Sequence, residues 1–196
     1  MDGLYDLIKF LHIMSFVFMS IPLFNLIVVN ERGLMGSAFN YPVDRYMENI
    51  IGHGSKRCYV FQTSVLVTGL LLLILGPLGL EALWQNGILL IKTVLLFVLM
   101  GLLSIVHFRL QPKIESLIGG IRPDVPVPDG FSSELKPFRV LRKRLATFCL
   151  FIVITIIVLG MQVYGAFSPA LNAILIGLAA LFAWRAGATM IRFGWV

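Results

Sequence analysis

The sequence predicts an all-α integral membrane protein with five transmembrane helices. Of its 196 residues, 58% are hydrophobic and only 13% are charged, and the mean hydropathy is +0.91. A water-soluble domain carries about 25% charged residues, so this chain has too little polar surface to cover a soluble globule. Its apolar runs are long and lack the residue-by-residue alternation of barrel strands. Because every backbone polar group must be satisfied within lipid, such runs cross it as helices.

Five segments are long enough to cross a bilayer, since a span needs roughly 20 mostly apolar residues. They belong to a single transmembrane domain over residues 1–196, which we expect to be a four-helix-bundle-like core with one extra helix. The longer connections, residues 30–57 and 109–144, are predicted to be loops, although residues 41–57 could form a surface helix that continues into the second span. The predicted spans cover about residues 4–29, 58–80, 87–108, 145–164 and 169–191.

Small residues predict close helix packing on two of these spans. Ala179, Ala183 and Gly187 recur every four residues on the fifth span, which lets another backbone approach closely. The partner of that face could be another span, a second copy or a different subunit. Gly69 and Gly76 form a similar stripe on the second span.

Basic residues predict the orientation of the chain. Lysine and arginine concentrate in the two longer connections, whereas residues 81–86 and 165–168 contain neither. By the positive-inside rule the basic loops are cytoplasmic, which places the N-terminus outside and the C-terminus in the cytoplasm. The net charge of +6 then reflects contact with anionic lipids and requires no nucleic acid. The basic run Leu141–Leu145 is interpreted as a stop signal at the fourth span.

Ionisable groups within the spans are the candidate functional residues, because such groups are costly in hydrocarbon. His12 lies in the first span and Lys92 in the third. The helical rise places both at nearly the same depth near the outer boundary, and Met161 at the end of the fourth span returns to that level. His107 and His53 lie at the cytoplasmic boundary. We therefore expect an outer and an inner cluster.

Each of these residues has a plain structural interpretation beside a functional one. His12 could hydrogen-bond a neighbouring helix, bind haem or a metal, or relay protons. Lys92 could extend to the outer headgroups or pair with an anionic group. His107 could cap a helix end, and His53 could lie in a glycine-flanked loop. His12 and His107 are too far apart in depth to ligate the same iron, because axial ligands lie about 2 Å from it.

Two segments resemble a known family. The stretch Leu7–Met14 (LIKFLHIM) and the third-span run Ile91–Phe108, which carries Lys92 and His107, are similar to the opening and third helices of HemJ-type and CopD-like membrane proteins. The resemblance covers about residues 7–111. It implies a haem b-binding helical bundle of the bacterial inner membrane, with His12 and Lys92 as the functional pair. The tryptophan, glycine and arginine that HemJ carries after its first histidine are missing from residues 16–30 of this chain.

The sequence therefore predicts a haem b-binding membrane protein involved in electron transfer, such as the membrane subunit of a redox complex. His12, His107 and His53 are the expected iron ligands for one or two haems, and Lys92 and Met161 are further cofactor contacts. One alternative is a HemJ-like protoporphyrinogen oxidase in which Lys92 is catalytic. The other is a cofactor-free accessory subunit. Other redox subunits or a second copy of the chain are the expected partners.

Overall fold

The computed structural model describes residues 2–34, 39–121, 127–128 and 130–189, without the side chains of residues 2, 30–34 and 189. All regular structure in these residues is helical. Five helices are long and apolar enough to cross a membrane, so the prediction of an all-helical chain with five segments of bilayer length is confirmed. The α-helices are α1 Asp2–Leu34, α2 Tyr41–Leu75, α3 Ala82–Gln85, α4 Gly87–Ile105, α5 Gln111–Gly119, α6 Phe131–Gly160 and α7 Pro169–Thr189.

The helices extend beyond the predicted spans on the side of the two longer connections. The surface helix expected over residues 41–57 is confirmed as the start of α2, whereas helices replace the predicted loop over most of the described part of 109–144. Helix α2 begins at Tyr41, α6 begins at Phe131, and α4 continues through a π-helical turn into α5. Hydropathy detects only the apolar part of a helix. At the start of α2, Asn40 Oδ1 accepts a hydrogen bond from the Val43 amide at 3.3 Å, which caps the helix before its apolar part. Residues 190 and 191 of the fifth predicted span lie outside the described residues.

Helices α1, α2, α4 and α6 form the core of the bundle. Each contributes side chains to one buried cluster, represented by Met19, Val65, Leu99 and Val153. The cationic residues of α2, α5 and α6 gather at the end of the bundle where α2 and α6 begin, which we call the basic end. Its described cations include Lys56, Arg57, Lys113, Arg139, Arg142 and Arg144.

The predicted glycine stripe of α2 packs against α1. A Cβ atom at Gly69 would lie 3.2 Å from His12 Cε1, and one at Gly76 would lie 3.0 Å from Tyr5 Cε2. Residue numbers fall along α1 as they rise along α2, so the two helices are antiparallel. The prediction of a close-packed stripe is confirmed, and its partner is the first span of the same chain.

The small-residue face of α7 packs against α6. Ala179 and Ala183 are buried, and a Cβ atom at Gly187 would lie 2.5 Å from Thr147 Oγ1 and 2.8 Å from Thr147 Cγ2. The predicted close-packing face therefore has its partner within the chain, at the side of the bundle.

Replacing Gly187 with alanine is expected to destabilise the protein by about 1–3 kcal/mol, because the new methyl group overlaps the β-branched Thr147 side chain, which has little freedom to move. The melting temperature should fall by roughly 2–12 °C, measured by tryptophan fluorescence in detergent. The matched control is Gly177→Ala on the same helix, where a Cβ atom would meet nothing within 4 Å. Equal melting temperatures for the two variants would contradict this packing.

Candidate functional site

His12 on α1 is anchored to α2 through one ring nitrogen. Its Nδ1 lies 2.9 Å from Thr68 Oγ1. The Thr68 hydroxyl donates its own proton to the Ser64 carbonyl one turn earlier, at 2.5 Å. The hydroxyl therefore accepts the proton on His12 Nδ1. A neutral imidazole protonated at Nδ1 carries its lone pair on Nε2, so this contact selects the tautomer that binds metals through Nε2.

Two neighbours set the position of the His12 ring. Gly69 leaves room for the imidazole, since a Cβ atom there would stand 3.2 Å from Cε1. Phe16, one turn along α1, meets the ring edge to face at a centroid distance of 5.4 Å. The half-buried imidazole is thus confined between a helix backbone and an aromatic ring, and its orientation does not depend on the Thr68 hydrogen bond alone.

Lys92 on α4 lies in the same region of the bundle. Its ammonium packs against α6, where a Cβ atom at Gly160 would lie 3.3 Å from Lys92 Nζ. The Lys92 charge is close enough to His12 to act on the imidazole electrostatically. The fold thus brings together the two residues of the outer cluster, on a site formed by α1, α2, α4 and α6.

Met161 does not join this site. It caps the end of α6, and its side chain is 67% exposed, so the fold does not bury the thioether beside His12. The neighbouring Gln162 is buried and exchanges hydrogen bonds of 2.6 and 2.9 Å with Asn172, which fastens the turn between α6 and α7. Tyr164 hydrogen-bonds Tyr5 at 3.1 Å. That bond raises the pKa of Tyr164 to about 12 and keeps the phenol neutral.

His107 lies in the π-helical turn Val106–Leu110 between α4 and α5. Pro112 follows this turn, and in an α-helix its ring would clash with the Phe108 carbonyl four residues earlier. The chain widens instead, and the Gln111 amide donates to the Val106 carbonyl five residues back. Such single π turns are frequent at functional sites. The widened turn was not predicted, although Pro112 is visible in the sequence.

The His107 imidazole repeats the arrangement of His12. Its Nδ1 lies 3.0 Å from Ser55 Oγ, and the Ser55 hydroxyl donates to the Gly52 carbonyl at 2.9 Å. The Tyr59 ring meets the imidazole edge to face at 5.7 Å. Here too the serine accepts the Nδ1 proton and the Nε2 lone pair is left for another group. Ser55 and Thr68 are 13 positions apart on α2, which separates the two histidines by about 20 Å along the bundle.

The fold does not place His53 beside His107. It lies within α2 rather than in a glycine-flanked loop, and its Nδ1 donates to the Asn49 carbonyl at 2.8 Å. Two residues along an α-helix turn by about 200°, so His53 and Ser55 point to opposite sides of α2. His53 is exposed and lines a groove beside α1. The expected inner pair is therefore wrong in its geometry. Among the described residues, no three His, Cys, Asp or Glu side chains form a group that could hold a metal ion.

A buried ion cluster occupies the basic end of the bundle. Both Glu48 oxygens on α2 accept from Arg142 on α6, at 2.6 and 2.9 Å. Arg139 adds a contact of 3.1 Å to Glu48 and pairs with Asp44 at 2.9 Å. The side chains of Arg142 and Glu48 are 0% and 1% exposed. Gln111 completes the cluster by accepting from Arg142 at 2.7 Å.

This cluster was missed in the sequence. The stop-signal interpretation of Leu141–Leu145 is wrong for Arg142, which faces the buried carboxylate of Glu48 instead of lipid headgroups. Arg144 is exposed, as that interpretation requires. The available signal was spacing: Asp44 and Glu48 stand four residues apart on a helix, and Arg139 and Arg142 stand three apart on another. The cluster joins α2, α5 and α6 through buried side chains.

No protein-family model, no curated protein and no solved structure matches this chain. The assignment of function therefore rests on the geometry of the histidine sites.

Proposed function

We propose that this chain is a haem b-binding integral membrane protein that takes part in electron transfer as the membrane subunit of a redox complex. The observation that carries the proposal is the state of His12 and His107. Each holds its Nδ1 proton against a hydroxyl group whose own proton is committed to a backbone carbonyl. Metal-ligating histidines almost always donate their other ring nitrogen in this way, which fixes the tautomer and the ring orientation.

The donor set suits a haem at each level. His12 and His107 would each hold a haem iron through Nε2, and haem b would supply reversible one-electron chemistry. Lys92, half-buried and near His12, would pair with a propionate there. The Tyr59 ring contacts the His107 imidazole edge to face. The Tyr59 hydroxyl forms a hydrogen bond of 2.8 Å with Ser104 Oγ, which keeps the tyrosine ring in place. The separation of about 20 Å along α2 assigns the sites to opposite halves of a bilayer core about 30 Å thick.

The basic end sets the proposed orientation. With Lys56, Arg57, Lys113 and Arg144 at one end, the positive-inside rule assigns that end to the cytoplasm of a bacterial inner membrane. The N-terminus would then lie outside and the C-terminus in the cytoplasm. His12 and Lys92 would serve the outer side, and His107 would serve the side from which a cytoplasmic redox subunit could deliver electrons.

A reduced-minus-oxidised absorption spectrum of the purified protein tests the proposal. The chain is expressed with ample haem, purified in detergent, and extracted into alkaline pyridine to count haem. We expect a b-type difference spectrum and one or two haems per chain. A flat spectrum from folded, monodisperse protein would overturn the proposal and leave an accessory subunit in which these histidines only fasten helices.

A HemJ-like protoporphyrinogen oxidase is the second candidate, and the nearness of His12 and Lys92 favours it. The lysine would then act on an anionic porphyrinogen substrate. Complementation separates the two functions. If the chain rescues a host that lacks protoporphyrinogen oxidase, and Lys92→Ala abolishes the rescue, the enzyme is supported. If the chain binds haem but gives no rescue, electron transfer stands alone.

Replacing Thr68 with valine is expected to weaken haem binding at His12 by roughly 10- to 100-fold, the usual effect of removing an outer-shell partner. Valine keeps the shape of threonine and removes the oxygen that accepts the Nδ1 proton. Haem titration of the haem-depleted protein measures the change. Thr63→Val, at an exposed position of the same helix, is the matched control. Unchanged affinity in Thr68→Val would show that the hydroxyl does not orient the ligand.

A further inference from the structure

A groove opens between α1 and α2 at the basic end of the bundle. It lies outside the sites of His12 and His107. Its volume is about 490 Å³. Polar side chains of α2 line one wall, among them Asn49, His53 and Arg57, which are all exposed. Phe18 and Pro22 of α1 and Phe61 of α2 line the apolar part. The groove therefore has both polar and apolar walls.

The polar side chains of α2 and the two phenylalanines are separated along the bundle, and Pro22 lies at the level of Gly54, among the polar residues. Positions 49, 53 and 57 are four residues apart, so they form one stripe on α2 that climbs from the basic end. Phe61 continues the same stripe one turn further, and its ring stacks on Phe18 at a centroid distance of 5.6 Å. The polar part thus lies at the level of the predicted headgroups, and the aromatic part lies within the apolar span.

The charge of the groove is positive. Arg57 is exposed in it, and no Asp or Glu occurs among the described residues that line it. The nearest acids of α2, Asp44 and Glu48, face α6 and are paired with Arg139 and Arg142. Guanidinium groups bind phosphate oxygens in pairs and with high preference. The groove therefore suits an anionic head attached to an apolar tail.

We propose that this groove is a binding site for one anionic phospholipid. Arg57 holds the phosphate, the amide of Asn49 and the Nε2 lone pair of His53 hydrogen-bond hydroxyl groups of the rest of the head, and an acyl chain lies along Phe18 and Phe61. A zwitterionic lipid is disfavoured because its cation would meet Arg57 without an acidic partner in the groove. A free phosphate would leave the aromatic part uncovered. This inference is independent of the proposed haem function.

Lipid titration followed by native mass spectrometry tests the site. The detergent-purified full chain is titrated with phosphatidylglycerol and, separately, with phosphatidylcholine of the same acyl chains. We expect the first phosphatidylglycerol to bind at least about fivefold tighter than phosphatidylcholine, the factor that one well-placed cation supplies. Equal affinities, or equally tight binding of glycerol phosphate without acyl chains, would overturn the proposal.

Two adjacent charge variants locate the site. Arg57→Gln should weaken phosphatidylglycerol binding by about fivefold or more. Lys56→Gln removes the same charge from an exposed neighbour that does not line the groove, and it should change the affinity by less than about twofold. Equal losses in both variants would assign the effect to diffuse attraction by the basic end and overturn the groove. Displacement of the lipid by a long-chain quinone would also overturn it.

Discussion

Replacing Glu48 with glutamine is expected to lower the melting temperature by roughly 6–20 °C. The change removes the carboxylate charge that both buried guanidinium groups share and leaves Arg142 charged at 0% exposure. Removing one partner of a buried ion pair costs about 3–5 kcal/mol, because the remaining charge has no water to solvate it. For a chain of this size, each kcal/mol shifts the melting temperature by about 2–4 °C. Thermal unfolding in detergent, followed by tryptophan fluorescence, measures the shift.

A matched control and a double variant separate ion pairing from simple loss of an acid. Glu134→Gln neutralises an exposed glutamate on α6 and should leave the melting temperature nearly unchanged. Combining Glu48→Met with Arg142→Met removes both charges and leaves the pair of Arg139 and Asp44 at 2.9 Å. The double variant should be more stable than Glu48→Met alone. If Glu48→Gln has the same melting temperature as Glu134→Gln, the cluster does not hold α2 to α6.

Under the proposed haem function, replacing His12 with alanine is expected to abolish haem binding at the outer site, so the haem count per chain should fall by one. Among the described residues, His12 is the imidazole at that level whose Nδ1 is held by a hydroxyl group. Alanine has no atom that could bind iron in its place. Gly69 and Phe16 would then line an empty space. The pyridine extract and the difference spectrum measure the loss in protein purified under identical conditions.

His53→Ala is the control for His12→Ala. His53 is exposed, faces the groove between α1 and α2, and lies on the opposite side of α2 from Ser55 and His107. Its removal should leave the haem count unchanged. Met161→Ala should behave in the same way, because that side chain is 67% exposed. A full haem complement in His12→Ala would contradict the assignment of the outer ligand.

The ion cluster could not be predicted from the sequence because its members come from three separate helices. Glu48, Gln111 and Arg142 are far apart in the chain, and only the packing of α2, α5 and α6 places them within hydrogen-bond distance. Considered alone, each basic residue near a span resembles a headgroup contact. The charge of Arg142 is tolerated in the interior because a carboxylate and an amide accept all the contacts described above.

The direction in which each side chain leaves α2 decides whether His53 can lie beside His107. Gly52 and Gly54 favour a loop by propensity, since glycine weakens a helix by about 1 kcal/mol relative to alanine. Packing overrides that preference: a Cβ atom at Gly54 would lie in ordinary van der Waals contact with Pro22 Cβ at 3.7 Å, so α1 packs directly on this part of α2. Once α2 is continuous, His53 and Ser55 must point in opposite directions, and only Ser55 can reach His107.

The sequence by itself determined that this chain is helical and has five apolar segments long enough to cross a membrane, because apolar length is a local property of the chain. It also identified His12 and Lys92 as neighbours in depth, since the rise of a helix is constant. Only the tertiary structure decided where each helix begins, which hydroxyl anchors each imidazole, and that Arg142 is buried with Glu48. Those outcomes depend on caps and on contacts between distant segments, which are set by how the helices rotate and pack against one another.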